Sequence, residues 1–212
     1  MKIFTSKIAV LLFSLMLVNV LYVYDVESKE NDDDINQVET YLNSLKSLEA
    51  NFVQIASNGE KVEGKLYIEK PNKIRMEYNA PSNILIVGNG DYIVYYDKEL
   101  DQVTNIDYED VPAALILASE VDINGKDLSV TDFYKDPGVT RVSLEYSKAS
   151  ELGPFTLLFT NNPFALRQWK VVTPQAMEVS LSLYDVVVDS KLDGNLFEFT
   201  KKEESKDKYR RR

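Results

Sequence analysis

Short segments in which apolar and polar residues alternate follow one another along most of this chain. Alternation with a period of two is typical of a β-strand that buries one face. Eleven segments are strand candidates, most of them alternating, at residues 51–57, 62–69, 73–79, 84–87, 92–96, 102–106, 128–133, 141–146, 155–160, 166–173 and 178–188. Most of the connections between them are short, and short connections require antiparallel neighbours. The sequence therefore predicts a mainly antiparallel sheet.

Two helices are predicted beside these strands. Three aspartates at 32–34 offer an N-cap and favourable charge at a helix start. The apolar residues that follow at spacings of three and four are Ile35, Val38, Leu42, Leu45 and Leu48. This spacing indicates an amphipathic helix that ends near Glu49. A second, short apolar helix is expected from Pro112 to Ser119, because proline suits the first helical turn.

The number of strands limits how the sheet can be covered. Some ten strands at about 4.8 Å each would make a sheet roughly 45 to 50 Å wide, whereas the two helices would span only about 22 Å and 10 Å. Such helices cannot cover a flat sheet of that width. Wide, twisted sheets curl and cover their own apolar face. We therefore expect an open or closed barrel-like sheet with the helices at its concave side.

The alternation also predicts which side chains face the inside of the curved sheet. The expected inner-face residues are Leu66, Ile68, Ile74, Met76, Tyr78 and Ile86. The apolar stretch from Leu115 through Ile116 to Leu117 is expected to lie against them. A barrel of this size can be filled by its own side chains or can hold a ligand. The pattern alone leaves both possibilities open.

The chain lacks the residues that many catalytic and metal sites need. It has no histidine and no cysteine, which excludes a Ser-His-Asp triad, a cysteine nucleophile and thiolate or imidazole metal sites. The calcium-like string at 189–195 has Lys and Leu where ligands should be, so we interpret it as a turn. Adjacent acids such as Glu109 and Asp110 indicate a solvated loop. We expect no enzymatic activity, no metal and no cofactor.

The amino-terminal residues resemble an export signal. Lys2 and Lys7 precede an uncharged apolar stretch at 8–24, which is the arrangement of a secretory signal peptide. We expect this leader to occupy residues 1–28 and to direct the protein to the periplasm. The alternative is an uncleaved amino-terminal anchor, since the stretch approaches the minimum membrane span of about 17 residues. In either case the rest of the chain is exported without disulfides.

Charge is distributed unevenly along the chain. The formal net charge is −10, yet the last twelve residues hold seven Lys or Arg against three acids. The single domain predicted at 29–200 is therefore more acidic than the total suggests, which argues against nucleic acid as a partner. The tail at 201–212 is expected to be a flexible, solubilising end. Contact of this tail with anionic lipid is the alternative.

Several motifs together resemble a known family. They are the Phe-x-Gln pair at Phe52 and Gln54, the string from Gly64 to Pro71 (GKLYIEKP), the string from Arg75 to Tyr78 (RMEY), and Pro112 with the apolar residues after it. In this order they resemble the periplasmic outer-membrane lipoprotein carrier (LolA) family over nearly all of the exported chain. The resemblance implies an incomplete β-barrel with a helical lid over a hydrophobic cavity.

The same resemblance implies a function and a site. Carriers of this family receive acylated lipoproteins from an inner-membrane ABC transporter and deliver them to the outer membrane, in some cases to an acceptor there. By analogy the lipid-contacting residues would be Leu66, Ile68, Ile74, Met76, Tyr78, Ile86, Leu115 and Ile116, in a monomer. Lys70 and Pro112 would belong to the lid or gate. Family members carry Arg where this chain has Lys70, and an ammonium lacks the fixed donor fork of a guanidinium; the alternative for Lys70 is a solvated side chain at a strand end.

Two other functions fit the same sequence. One is a sensor or regulatory domain on this fold that binds exposed protein or lipid in envelope-stress signalling, which a second carboxy-terminal domain would favour. The other is a carrier of free lipid or glycolipid. The residues alone do not separate these from a lipoprotein carrier.

Overall fold

The computed structural model describes residues 32–111, 114–149, 152–173 and 176–201. The predicted leader, Pro112 and the tail beyond Lys201 lie outside the described residues. The chain divides into two compact units, residues 1–41 and 42–212. The described part of the first unit is helical, with Ile35 and Val38 buried. All of the strands belong to the second unit.

Eleven strands form one sheet, as the alternation predicted. Their bounds are β1 (Ser47–Ala56), β2 (Lys61–Glu69), β3 (Lys73–Tyr78), β4 (Ile84–Asn89), β5 (Ile93–Asp97), β6 (Gln102–Ile106), β7 (Leu128–Lys135), β8 (Val139–Tyr146), β9 (Phe155–Asn161), β10 (Phe164–Val172) and β11 (Glu178–Val188). Each predicted segment overlaps one of these strands. The differences lie at the ends, where β1, β8 and β10 begin two to four residues earlier than expected.

The sheet consists of two meanders joined at the first and last strands. Its order is β6-β5-β4-β3-β2-β1-β11-β10-β9-β8-β7, and every pair of neighbours is antiparallel. We call β1–β6 the N-terminal meander and β7–β11 the C-terminal meander. The two edge strands, β6 and β7, do not pair with each other. The prediction of a mainly β, antiparallel and unclosed sheet is confirmed.

The first helix ends earlier than its apolar spacing predicted. Helix α1 covers residues 32–44, and β1 begins at Ser47. Leu48 fits the helical spacing from Leu45, but it also alternates with Ala50 and Phe52, and in the structure it faces Ile68 across the β1–β2 ladder. The strand period prevails because it places Leu48 in a fully buried cross-strand pair.

The second helix is a single turn. Helix α2 covers Ala114–Leu117, and its last three residues are buried. It lies in the long segment at 107–127 that leads from the end of β6 to the start of β7, two strands at opposite edges of the sheet. A 3-10 helix at Tyr108–Asp110 precedes α2 in this segment.

One face of the sheet carries most of the core. We call the face of the sheet that holds Leu66 the inner face. In the C-terminal meander this face is filled by fully buried Phe155, Leu157 and Phe159 of β9, together with Trp169 of β10. The opposite, outer face of this meander carries polar pairs. There Ser143 meets Thr156 through their hydroxyls at 2.9 Å.

The outer face of the N-terminal meander is covered by the end of the described chain. We call residues 194–201 the C-terminal strap. Its Phe197 is buried, and the strap's Leu196 carbonyl accepts a hydrogen bond from Arg75 Nη1 at 2.9 Å. Phe199 meets Tyr96 with ring centroids 5.5 Å apart, and Lys201 pairs with Asp101 at 2.8 Å. The strap therefore covers β3 to β5 from outside.

Candidate functional site

The strand registers place the predicted inner-face residues on one continuous surface. Leu66 of β2 faces Met76 of β3, and Met76 faces Ile86 of β4. Closer to the β2–β3 turn, Ile68 faces Ile74. Residues opposite each other in an antiparallel ladder point to the same side of the sheet. Three strands thus contribute to a single apolar surface.

Burial falls along this surface from one end to the other. Leu66 and Ile68 are fully buried, and Ile74 and Met76 nearly so. Tyr78 and Ile86 are only half-buried. Tyr95 of β5 faces Ile86 and is also half-buried, although sequence reasoning did not include it. The alternation of Ile93 and Tyr95 along β5 could have placed Tyr95 on the inner face from the sequence.

The family-like motifs meet in one cluster beside the half-buried end. The Phe52 ring packs edge-on against the Tyr78 ring, with centroids 5.1 Å apart, and the Tyr78 hydroxyl donates to Gln54 Oε1 at 2.8 Å. Gly64 lies between them in the register. A Cβ at Gly64 would come within 2.7 Å of the Phe52 ring and 2.2 Å of the Glu77 carbonyl oxygen. Only glycine lets these two strands and the ring approach so closely.

Tyr78 is held in its neutral form by this environment. Burial raises the pKa of the Tyr78 hydroxyl well above its usual value, and the neighbouring Tyr95 adds to the increase. A neutral phenol that donates to an amide is compatible with an apolar ligand beside it, because no charge has to be desolvated.

Helix α2 is tied to the sheet at both of its sides. The Asn72 backbone N–H, in the β2–β3 turn, donates to the Leu117 carbonyl at 2.8 Å. Tyr146, at the end of β8, has a hydrogen bond with the backbone of Leu115. Burial raises the pKa of the Tyr146 hydroxyl, and the bond to Leu115 offsets only part of this increase. The single turn therefore connects two distant parts of the sheet.

The Lys70 side chain contacts the end of helix α1. Its Nζ donates to the Leu42 carbonyl at 2.8 Å, and its backbone N–H donates to the Lys46 carbonyl at 2.8 Å. Lys70 is half-buried, and burial lowers the pKa of its ammonium. Lys70 is thus a fixed side chain, in contrast to the solvated alternative considered from the sequence. The other predicted gate residue, Pro112, lies outside the described residues.

A hollow of about 600 Å³ lies beside α2, within the range of small-molecule sites, roughly 300 to 1,000 Å³. Its apolar lining includes Val111, Ala114, Leu115, Ala118, Val121, Leu128 and Leu152. Charged residues at its rim are Glu109, Glu120, Asp122, Lys126, Asp127 and Lys148. Of the predicted lipid-contacting residues only Leu115 lines this hollow. The strand residues of that set are packed into the inner face instead.

Among the residues that the structure describes, no helix has both the length and the apolar character needed to cross a bilayer.

Comparisons with known proteins agree with this architecture. A protein of Rickettsia prowazekii is 24% identical over 169 residues, which cover 80% of this chain and 78% of that protein. An outer-membrane lipoprotein carrier protein of Pseudoalteromonas translucida is 28% identical over 176 residues, covering 79% of this chain and 83% of the relative.

Among solved structures, a DUF1329 family protein from Desulfovibrio piger shares the fold with a TM-score of 0.51 and 10% sequence identity, over 78% of this chain and 95% of that one. At this identity the likeness concerns the fold alone. The family described as outer membrane lipoprotein carrier protein LolA matches residues 43–200. Since this match spans well over half of the sequence, the chain belongs to the LolA family.

Proposed function

We propose that this protein carries acylated lipoproteins through the periplasm and shields their acyl chains against the inner face of its sheet. The observation that carries the proposal is the apolar surface formed by β2, β3 and β4, which remains partly exposed at Tyr78 and Ile86. The chain that carries this surface belongs to a lipoprotein carrier family. Contiguous apolar surface that stays accessible to solvent is typical of a site for a ligand or partner.

The energetics of the cargo explain why such a surface is needed. Exposure of one sixteen-carbon chain to water costs on the order of 12 kcal/mol, at about 0.8 kcal/mol per methylene. Free diffusion of an acylated protein between membranes is therefore negligible. A carrier has to cover the chain and later release it, and a surface that is partly closed by a lid meets both needs.

The lipid-contacting residues in this proposal are the inner-face set named from the sequence, extended by Tyr95. Leu66, Ile68, Ile74 and Met76 are buried in the structure, and in this proposal movement of α2 gives an acyl chain access to them. Tyr78, Ile86 and Tyr95 are the first side chains that a chain would meet. The hollow beside α2 offers space into which the lid segment can move.

Lys70 acts as a gate in this proposal. Its single hydrogen bond to Leu42 replaces the donor fork of the family's arginine, and one charge-assisted bond is easier to break than two. Loading would come from an inner-membrane ABC transporter, and delivery would be to the outer membrane or an acceptor there. The leader expected at 1–28 would place the protein in the periplasm.

The test is to purify the exported protein from a bacterial periplasm and to identify bound material by native mass spectrometry. We expect acylated proteins with the parent chain and their loss in Ile86→Glu, which puts a carboxylate on the half-exposed inner surface. Ile55→Glu is the matched control, because Ile55 is 48% exposed and alternates away from the inner-face residue Gln54. An empty protein that also fails to bind a fluorescent acyl probe would refute the carrier; bound free lipid without protein would indicate a lipid carrier.

The gate is tested separately with Lys70→Leu. We expect faster release of the acyl probe with little change in the free energy of unfolding, since the ammonium contributes one hydrogen bond at a half-buried position. Unchanged release would remove Lys70 from the gate and leave the carrier proposal intact.

A further inference from the structure

The segment after α2 is held by a side chain that sequence reasoning did not single out. Asn43 Nδ2 donates to the Val121 carbonyl at 2.8 Å, and the Val121 N–H donates to Asn43 Oδ1 at 2.8 Å. One primary amide thus satisfies both polar groups of one residue's backbone, much as a neighbouring strand would. The Val121 side chain is buried, with 2% of its surface exposed.

Asn43 is itself part of a fixed stretch of chain. Its neighbour Leu42 accepts the Lys70 ammonium, and Lys46 accepts the Lys70 backbone N–H. Ser47 then begins β1, whose ladder with β2 holds the stretch in place. Asn43 therefore gives Val121 an anchor at the end of α1, a few residues before β1.

Besides the bond between Tyr146 and the Leu115 backbone, the segment at 107–127 has three attachments to the β2–β3 turn and the end of α1. Near its start the Tyr108 hydroxyl donates to the Asn72 carbonyl. At α2 the Asn72 N–H donates to Leu117. Beyond α2 the third attachment is the pair of bonds between Asn43 and Val121. The first two use the β2–β3 turn, and only the third uses the end of α1.

The third attachment lies where movement is possible. Val121 lines the hollow of about 600 Å³ together with Ala114, Leu115 and Ala118. Protein interiors are close-packed, so a segment can shift only where free volume exists. Asn43 is exposed to solvent, and water can therefore replace its bonds without disturbing the core.

We propose that Asn43 is a latch that positions the lid: its two bonds to Val121 hold residues 114–123 closed, and their release lets this segment move toward the hollow and uncover the inner face. The inference rests on the proposed carrier function for its purpose, while the latch itself is a property of the empty protein. The chemistry requires an amide, because the side chain has to donate and accept at once. A carboxylate only accepts, and it would face the Val121 carbonyl oxygen.

The first test measures the latch without any cargo. Backbone hydrogen exchange of the exported protein is compared with that of Asn43→Asp, an isosteric change. Asp keeps an acceptor for the Val121 N–H but loses the bond to the Val121 carbonyl, and this loss is expected to speed exchange at 114–123 by about twofold to tenfold, given roughly 0.5 to 1.5 kcal/mol per hydrogen bond. Exchange in β7–β11 should stay the same. Gln168→Glu is the matched amide-to-acid control, because Gln168 bonds Ser182 within the C-terminal meander.

Unchanged exchange at 114–123, or faster exchange spread evenly over the sheet, would overturn the latch. If Asn43→Asp does not fold, Asn43→Ser serves the same comparison, because its hydroxyl is too short to span both Val121 groups.

The second test measures uptake of a fluorescent sixteen-carbon fatty acid by the same proteins. Asn43→Asp should take up the probe severalfold faster than the parent, and Gln168→Glu should match the parent. Faster exchange without faster uptake would overturn the proposed role in opening. If no protein binds the probe or any lipoprotein, the carrier function fails, and the exchange experiment still decides whether Asn43 holds the lid.

Discussion

The C-terminal meander buries apolar residues on one side only. Phe155, Leu157 and Phe159 of β9 are almost completely buried on the inner face, and the outer face carries polar pairs such as Gln168 with Ser182 at 2.8 Å. This is the usual pattern of an antiparallel sheet with one side packed and one side solvated.

The N-terminal meander distributes its apolar residues over both sides. On the outer face Val87 and Val94 face each other across β4 and β5, and both are buried. On the inner face of the same strands Ile86 and Tyr95 are only half-buried. The strap with Phe197 covers β3 to β5 from outside, and the inner surface stays partly open.

This difference assigns stability and the proposed ligand binding to different halves of one sheet. The C-terminal meander supplies stability through a closed core, and it has little apolar surface left for a ligand. The N-terminal meander is supported from outside by the strap, so its inner surface does not have to be completely packed to hold the strands together. The proposed lipid surface therefore lies in the half that has a second source of support.

The largest loss of stability should come from a cavity in the core of the C-terminal meander. Phe155→Ala is expected to lower the free energy of unfolding by about 3 to 5 kcal/mol, because it leaves a large cavity among rigid neighbours. Ile86→Ala should cost about 1 kcal/mol, since Ile86 is already half-exposed. Urea unfolding of both variants gives the comparison. Equal losses would show that the two meanders are packed alike.

Removal of the strap's anchor should have the next largest effect. Phe197→Ala is expected to cost about 3 kcal/mol, because the ring is 2% exposed and covers the outer face of β3 and β4. The half-buried Phe199 is the control, and Phe199→Ala should cost clearly less. If Phe197→Ala proves neutral in urea unfolding, the strap does not support the N-terminal meander.

A smaller loss is expected where two strands approach most closely. Gly64→Ala should lower the free energy of unfolding by about 2 kcal/mol through overpacking, since the new Cβ meets Phe52 and the Glu77 backbone. Gly138→Ala is the control in the C-terminal meander, because a Cβ there would meet only Asp136 Oδ1, at 3.5 Å. Calorimetric melting of both variants distinguishes the two sites, and a Gly64→Ala protein that melts like the parent would contradict the close approach.

The smallest effect concerns the polar end of the inner surface. Tyr78→Phe removes the bond to Gln54 and should cost about 1 kcal/mol at neutral pH. The raised pKa of Tyr78 adds a pH dependence: above the ordinary tyrosine value of 10.0 the unfolded chain loses its proton while the folded chain keeps it, so stability falls as pH rises. Urea unfolding at pH 7 and 11 should show a smaller alkaline loss in Tyr78→Phe. An identical loss in both proteins would mean that Tyr78 is not protected from ionisation.

The strands were the most predictable part of the molecule, because the period of two is a local property. The turn between β1 and β2 is also local: Asn58-Gly59 is a common hairpin dipeptide, Gly59 has φ of 88°, and the Ala56 N–H donates to the Glu60 carbonyl at 3.0 Å. Prediction failed where two local patterns overlap. Leu48 satisfies both a helical and a strand period, and only its partner across the ladder decides between them.

Contacts between distant segments could not be predicted. The unbroken apolar run at 84–87 does indicate burial on both faces, but nothing in it identifies Phe197 as the outer cover. In the same way, the bonds from Asn43 to Val121 and from Lys70 to Leu42 join residues far apart in the sequence. The inner-face set required only alternation and register, whereas the closure of the lid depends on these long-range partners.

If the predicted leader exports the chain, the pairing of β1 with β11 has a consequence for how the protein folds. A chain that emerges amino terminus first presents Ser47–Ala56 long before Glu178–Val188 arrives, so one side of the first strand stays without its neighbour during most of translocation. Contacts of such long sequence separation form slowly, and an unpaired apolar strand is prone to aggregation. In the proposed export route, β1 therefore stays exposed to aggregation until the final hairpin crosses the membrane.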